Sequence, residues 1–289
     1  MTLVAQLNSS LDVIMIDVTS PSTRESTYRL PNLDLQDPLQ SLPHVVHTSH
    51  KRFAMNGKVF KPYSGPLNAE QVAFGMNAAR RNAERLLRDA RELFEIGRWP
   101  TATLLSILSI EESGKDPILR SIAVARDESE RKQLWKNYRS HTKKNVQSIF
   151  PELVRKGARN LEDFRPMFDS TAEHPFQVEA LKQMATYSNC IDDSVWAVPE
   201  DVIDEEVAKK YVMTADILLP KGRISRREIE LWIQHVGPVW RLDLDSMKAA
   251  VVDWHEAMQA EGLVDRNRSE MGRFIWPELF DPDNTADDV

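Results

Sequence analysis

The chain has 289 residues, a formal net charge of −7, 42% hydrophobic residues and 28% charged residues. Such a length and composition are typical of a globular protein with one large hydrophobic core. No apolar run approaches the ~18 residues of a membrane span, and the first residues lack the pattern of a secretory signal. A single cysteine, Cys190, excludes an internal disulfide framework. We therefore expect a cytoplasmic protein without membrane contact.

Residues 1–67 are predicted to form an N-terminal extension, because they are rich in Pro, Ser and Thr and show little helical periodicity. The pair Asn56-Gly57 lies between short apolar runs, which favours a small β-hairpin. His44, His47 and His50 recur at every third residue, but no acidic or cysteine ligand is near them. We therefore expect no metal at these histidines.

Two strongly periodic stretches follow and predict a pair of long helices. Asn68 and Gln71 have the spacing of a capping box, and apolar residues then recur every three or four positions over residues 72–93. Gly97 is suited to end the first helix, and Pro100 is suited to the first turn of the second. So short a connection predicts an antiparallel helical hairpin.

The second helix runs into the sequence Glu-Glu-Ser-Gly-Lys at residues 111–115. If Glu111 and Glu112 continue its apolar face, both point toward the core or a subunit contact, where a charge is costly unless it is paired. Gly114 and Pro117 then weaken or kink the helix. A distorted turn beside buried charge is a candidate functional site.

A third helix is predicted over residues 128–149, ending before Pro151. Its periodicity places His141 on the apolar face, where a structural role is the alternative to a functional one. If this helix packs on the second, its residues can neutralise the buried carboxylates. We expect Glu111 or Glu112 to lie within ion-pair distance of Lys115, Arg139 or His141.

Charge is unevenly distributed along the chain. Residues 131–159 contain nine basic residues and one acidic residue, whereas acids prevail over residues 161–220. A local basic surface favours a polyanion such as RNA, and a solvated helix face balanced by acidic neighbours is the alternative. The predicted RNA-binding residues are Arg131, Lys132, Lys136 and Lys143.

The remaining chain also has helical periodicity. Helices are predicted at residues 177–187, 199–218, 225–236 and 244–260. Trp232, Trp240 and Trp254 are expected to fill the core of this C-terminal part. The expected divisions are an N-terminal extension at 1–67, a helical core at 68–220, a helical extension at 221–280 and a disordered acidic tail at 281–289.

Several motifs, taken together, resemble the AbiV-type branch of the HEPN superfamily. They are the segment at residues 83–90, the Gly-Arg-Trp-Pro turn at 97–100, the Glu-Glu-Ser-Gly-Lys motif at 111–115, and Ser140-His141 followed by Lys144. The resemblance covers roughly residues 68–218. It implies an all-α, HEPN-like helical bundle, commonly dimeric, with a role in abortive infection against phage. Many HEPN proteins are metal-independent endoribonucleases or toxins, so it implies neither metal nor cofactor.

HEPN nucleases usually carry an arginine that is separated from the histidine by four to six residues, and none of the seven histidines here has an arginine at that spacing. The nearest equivalent is Lys136, which precedes His141 with four residues between them. An active site would instead use residues specific to this branch. The candidate catalytic residues are Glu111, Glu112, Lys115, Arg139, His141 and Lys144.

Two functions are compatible with these residues. In the first, His141 serves as acid or base while the 2′-hydroxyl of RNA attacks its own phosphate. In the second, the same charges form a structural network and the protein is a non-catalytic module. This module binds RNA, or a phage protein that is its trigger or target, and thereby inhibits translation or phage growth. A di-metal carboxylate bundle would need Glu-x-x-His pairs, which are missing, as are serine-hydrolase and phosphate-loop motifs.

Overall fold

The computed structural model describes residues 61–191, 194–264 and 268–280. The described chain is predominantly helical, which confirms the all-α prediction. None of its helices is long and apolar enough to cross a membrane. The predicted β-hairpin near Asn56-Gly57, the three early histidines and the acidic tail at 281–289 lie outside the described residues.

The α-helices are numbered here in chain order. They are α1 (Ala69–Glu95), α2 (Trp99–Ser113), α3 (Lys115–Ala123), α4 (Glu128–Arg139), α5 (His141–Lys144), α6 (Phe150–Arg155), α7 (His174–Thr186), α8 (Pro199–Val202), α9 (Glu205–Leu218), α10 (Arg226–Val236), α11 (Leu244–Ala260) and α12 (Arg268–Ile275). Short 3₁₀ helices lie at Val146–Ile149, Glu162–Phe168, Gly237–Val239 and Pro277–Phe280.

Helices α1 and α2 form the predicted antiparallel hairpin. The capping box of Asn68 and Gln71 is present at the start of α1. Gly97 adopts φ 73°, a left-handed conformation that favours glycine, and thereby reverses the chain. The Ser109 hydroxyl donates a hydrogen bond to the Ala83 carbonyl over 2.8 Å. This contact between small residues brings the two helix backbones close together.

Helix α2 is the central helix of the described fold. It packs against α1, α7 and α9, and nine of its 15 residues are buried. Because so few of its side chains can reach water, any charge near its C-terminal end needs protein partners.

The prediction of one continuous helix over residues 128–149 is wrong at Ser140, beside His141. Ser140 adopts an extended conformation, φ −79° and ψ 128°, which ends α4 at Arg139 and starts the short helix α5. The Ser140 hydroxyl accepts a hydrogen bond from the Lys143 amide, so that a local cap replaces the helical continuation. The His141 side chain is 52% exposed rather than buried on an apolar face, because it belongs to α5 and not to α4.

Two further differences concern short elements. The predicted helix over 199–218 is divided into α8 and α9, because the Asp204 carboxylate caps α9 by accepting from the Val207 amide over 2.9 Å. Strands β1 (Asn189–Ile191) and β2 (Val195–Ala197) form an antiparallel pair that the sequence analysis missed. Three residues per strand are too few for a clear alternating pattern.

The C-terminal helices α10 and α11 pack around tryptophans, as predicted. Trp232 and Trp254 are buried and meet edge to face, with ring centroids 5.3 Å apart. The Trp232 indole donates a hydrogen bond to the carbonyl of Arg120 in α3 over 3.2 Å. Asn77 of α1 exchanges two hydrogen bonds with the Ile224 backbone. These contacts join the C-terminal part of the chain to α3 and to α1 of the hairpin.

Candidate acid–base site

Glu111 is the centre of the candidate site. It lies in the last turn of α2 with 3% of its surface exposed. One carboxylate oxygen, Oε2, lies 2.6 Å from His141 Nδ1 and 3.3 Å from Lys144 Nζ. The other, Oε1, accepts a hydrogen bond from Lys182 Nζ over 2.8 Å. The predicted ion pair between one of the two carboxylates and His141 is therefore present.

The surrounding cations keep Glu111 ionised. Burial raises the pKa of its carboxyl group, but hydrogen bonds from Lys182 and His141 and the charge of Lys144 outweigh burial and hold that pKa below its ordinary range. An ionised carboxylate can only accept hydrogen bonds, so Nδ1 of His141 must be the donor. In the neutral imidazole this contact selects the tautomer with the proton on Nδ1 and the lone pair on Nε2.

His141 presents its other nitrogen to the outside. Because Nδ1 faces the buried Glu111 while about half of the side chain is exposed, Nε2 is available to an incoming molecule. A carboxylate behind an imidazole orients the ring and stabilises the imidazolium that forms when Nε2 accepts a proton. The pair therefore has the geometry of an acid–base catalyst.

Gly114 explains how α5 reaches the buried carboxylate. A Cβ atom at this position would lie 2.1 Å from the carbonyl oxygen of Lys144. Only glycine permits the α2–α3 junction to approach the backbone of α5 so closely. The close approach brings His141 and Lys144 to Glu111, which gives the glycine of the Glu-Glu-Ser-Gly-Lys motif a structural role.

Lys182 is a site residue that the sequence analysis missed. It lies on α7, is 6% exposed and also pairs with Glu179 Oε2 over 2.6 Å. A signal was available in the sequence, since Lys182 shares the apolar face of α7 with Val178 and Ala185. A lysine on an apolar face implies a buried acidic partner, although periodicity cannot say which one.

Comparison with known proteins identifies the family. The AbiV model of the HEPN class (HEPN_AbiV) matches residues 71–220, more than half of the chain and all of the residues around Glu111 described above. The chain belongs to the AbiV-type HEPN family. No curated protein and no solved structure matches it.

The remaining predicted catalytic residues lie in different surroundings in this AbiV-type protein. Glu112 and Lys115 form their own half-buried ion pair over 2.5 Å, and the Lys115 ammonium lies 5.2 Å from the ring centroid of Tyr138. Arg139 is exposed at the end of α4. Of the six predicted catalytic residues, the structure brings Glu111, His141 and Lys144 together.

The predicted RNA-binding residues do not all share one environment. Lys132, Lys136 and Lys143 are exposed, whereas Arg131 is half buried. Lys132 also pairs with Glu128 one turn away over 2.7 Å, which reduces the positive charge that it offers to a ligand. Lys136 and Lys143 are the clearer candidates for contacts with phosphate.

Another buried ion pair has a structural role. Arg80 Nε lies 2.6 Å from Asp116 Oδ2, and Arg80 also donates to the carbonyls of Lys221 and Gly222. Burial raises the pKa of the Asp116 carboxyl group, an effect that Arg80 and Arg120 oppose. Because both members of the pair are shielded from water, we assign them to the joining of α1, α3 and the C-terminal segment.

The atoms around Glu111 also include a set of metal-ligand type. Glu111, His141 and Glu179 each offer one ligand atom, and these atoms lie within 4.8 Å of one another. The ammonium group of Lys182, however, contacts both of the carboxylates in this set. The positive charge that a cation would supply is therefore already provided by the protein.

Proposed function

We propose that this AbiV-type protein is an antiphage abortive-infection protein that cleaves RNA without a metal ion, with His141 as the acid–base group. The observation that carries the proposal is the 2.6 Å contact between His141 Nδ1 and the buried Glu111 carboxylate. This contact leaves Nε2 of a half-exposed ring for chemistry. By analogy with the family, we also propose that the protein acts as a cytoplasmic homodimer.

The proposed reaction is an internal transfer of the phosphoryl group. His141 Nε2 takes the proton of a ribose 2′-hydroxyl as its oxygen attacks the neighbouring phosphorus, and the bond from phosphorus to the 5′-oxygen breaks. The leaving oxygen takes up a proton, which gives a 2′,3′-cyclic phosphate and a 5′-hydroxyl. Glu111 stabilises the imidazolium, and exposed cations such as Lys136 and Lys143 attract the phosphates.

A second candidate function is a non-catalytic module that binds RNA or a phage protein and so inhibits translation or phage growth. The observation that favours it is the number of partners around Glu111, since Lys144 and Lys182 can neutralise this carboxylate without any catalytic role. In that case binding depends on the exposed lysines, and His141 contributes little to protection.

Phage plating on cells that express full-length variants separates the two functions. His141→Ala is expected to abolish protection if the protein is a nuclease and to retain it if the protein only binds. Lys136→Glu/Lys143→Glu is expected to weaken protection in both cases. Lys209→Glu/Lys210→Glu is the matched charge control, because both lysines are exposed on α9, outside the basic segment.

RNA isolated from the same cells after infection tests the chemistry directly. General acid–base groups typically supply about 10²- to 10⁴-fold in rate, so His141→Ala should reduce the yield of fragments with 2′,3′-cyclic phosphate ends by that order. Equal fragment yields from wild type and His141→Ala would refute the nuclease proposal. Loss of protection in the control variant would refute the assignment of the basic surface.

A further inference from the structure

Lys182 lies between two acidic side chains that come from different helices. Its Nζ atom is 2.8 Å from Glu111 Oε1 of α2 and 2.6 Å from Glu179 Oε2 of its own helix, α7. The Lys182 side chain is 8% exposed, so water does not screen these contacts well. The ammonium therefore bridges two carboxylates in the manner of a divalent ion.

The spacing of the atoms around Lys182 supports the comparison of its ammonium group with a metal ion. Nitrogen and oxygen ligand atoms lie about 2.0–2.2 Å from zinc, and hence no more than about 4.4 Å from one another. The ligand-type atoms of Glu111, His141 and Glu179 lie within 4.8 Å of one another, close to that spacing. Two buried lysines, Lys144 and Lys182, stand beside them and neutralise the two carboxylates.

Lys182 and Lys144 do not have equivalent positions. Lys144 approaches Oε2 of Glu111, the oxygen that also meets His141, at 3.3 Å. Lys182 holds the opposite oxygen, Oε1, and connects it to Glu179. Removal of Lys182 would leave that half of the carboxylate without its hydrogen-bond donor, so that Glu111 could turn away from His141.

We propose that the Lys182 ammonium is a built-in cation that takes the place of a divalent metal ion, and that it positions Glu111 to hold His141. Lys182 is thus a positioning residue and does not itself touch the substrate. The inference rests on the proposed function only in treating His141 as the reactive group. Whether the Lys182 ammonium replaces a metal ion can be tested without RNA.

The test measures thermal unfolding of the purified full-length protein with and without Zn²⁺. In Lys182→Ala the emptied space between the carboxylates is expected to accept zinc. At a zinc concentration of ten times Kd, the folding equilibrium rises about 11-fold, which corresponds to a Tm increase of about 3–5 °C. The increase should exceed any zinc effect on the wild type and on Lys182→Arg, in which a guanidinium can bridge the same carboxylates.

A second variant shows whether the zinc binds at this place. Lys182→Ala/Glu179→Gln lacks one of the proposed ligands and should lose the zinc-dependent increase. The proposal is wrong if zinc stabilises the wild type as much as Lys182→Ala, or if the double variant keeps the full increase. It is equally wrong if Lys182→Ala gains nothing from zinc or remains unfolded in its presence.

Phage plating then tests the positioning role. Lys182→Arg is expected to keep much of the protection and Lys182→Ala to lose it, whereas equal protection from both would contradict positioning by a cation at this site. If the wild type gives no protection, the proposed function fails, and the zinc titration still decides whether Lys182 replaces a metal ion.

Discussion

Gly114→Ala should damage both the stability and the function of the protein. The new methyl group would lie 2.1 Å from the Lys144 carbonyl oxygen, whereas real Cβ contacts are essentially never below 3.0 Å. The two backbones must therefore separate by about 1 Å. Overpacking of this kind costs about 1–3 kcal/mol, which exceeds the roughly 0.4–1 kcal/mol that Gly→Ala gains by restricting the unfolded chain.

The matched control is Gly75→Ala in α1. A methyl group there would meet only the side chain of Leu119, at an ordinary distance of 3.5 Å. We expect this variant to be neutral or slightly more stable than the wild type, because alanine favours a helix interior. Both variants change the same number of atoms, so their difference reports the close approach at Gly114 alone.

Thermal unfolding gives the magnitude. The overpacking cost less the gain from alanine leaves a net cost of about 1 kcal/mol, which lowers Tm by about 2–4 °C for a domain of this size. A 1 Å displacement of α5 would also lengthen the 2.6 Å contact between His141 and Glu111, so protection against phage should fall even at temperatures where Gly114→Ala is folded. If Gly114→Ala is as stable as Gly75→Ala and as protective as the wild type, the proposed packing of α5 is wrong.

Two other predictions concern acid stability and the attachment of the C-terminal helices. Folding lowers the pKa of Glu111, so that on acidification the carboxylate is protonated in the unfolded chain before it is protonated in the folded protein. The contribution of Glu111 to the free energy of unfolding is therefore complete above its ordinary pKa of 4.5, and it is lost as pH falls through the lower pKa of the folded state. The difference between wild type and Glu111→Gln in the free energy of unfolding, measured with urea, should therefore become smaller below pH 4.5. A difference that stays constant with pH would refute the reasoning. Asn77→Ala leaves the buried amide and carbonyl of Ile224 unpaired and should cost about 2–4 kcal/mol. Asn82→Ala removes only an acceptor for the exposed Arg85 side chain and should change the urea midpoint little.

The hairpin and the last long helix were predictable because their signals are local. The capping box at Asn68, the reversal at Gly97 and Pro100 at the start of α2 each act within one turn of the chain. Helix α11 likewise begins and ends where its apolar pattern does. The break at Ser140 was not predictable in this way, because the uninterrupted helical pattern around it gives no reason to stop. At Ser140 the tertiary packing favours an extended backbone conformation, which allows the backbone of α5 to approach Gly114.

The candidate site was predictable only in part for a similar reason. The cost of burying a charge required a partner for Glu111 or Glu112, and His141 is one. Neighbouring positions on a helix differ by about 100°, so Glu112 points elsewhere and pairs with Lys115. Lys182 was missed because it is 71 residues from Glu111, and only the packing of α7 on α2 makes them neighbours.

That separation along the chain also determines when the group of charges around Glu111 can be completed. His141 follows Glu111 by 30 residues and Lys182 follows it by 71, so a growing chain on the ribosome completes Glu111 well before its partners. A nascent or truncated chain that ends before α7 lacks Lys182, the donor to Glu111 Oε1. If the protein is a toxin, we expect it to remain inactive until the later helices have been synthesised and have docked.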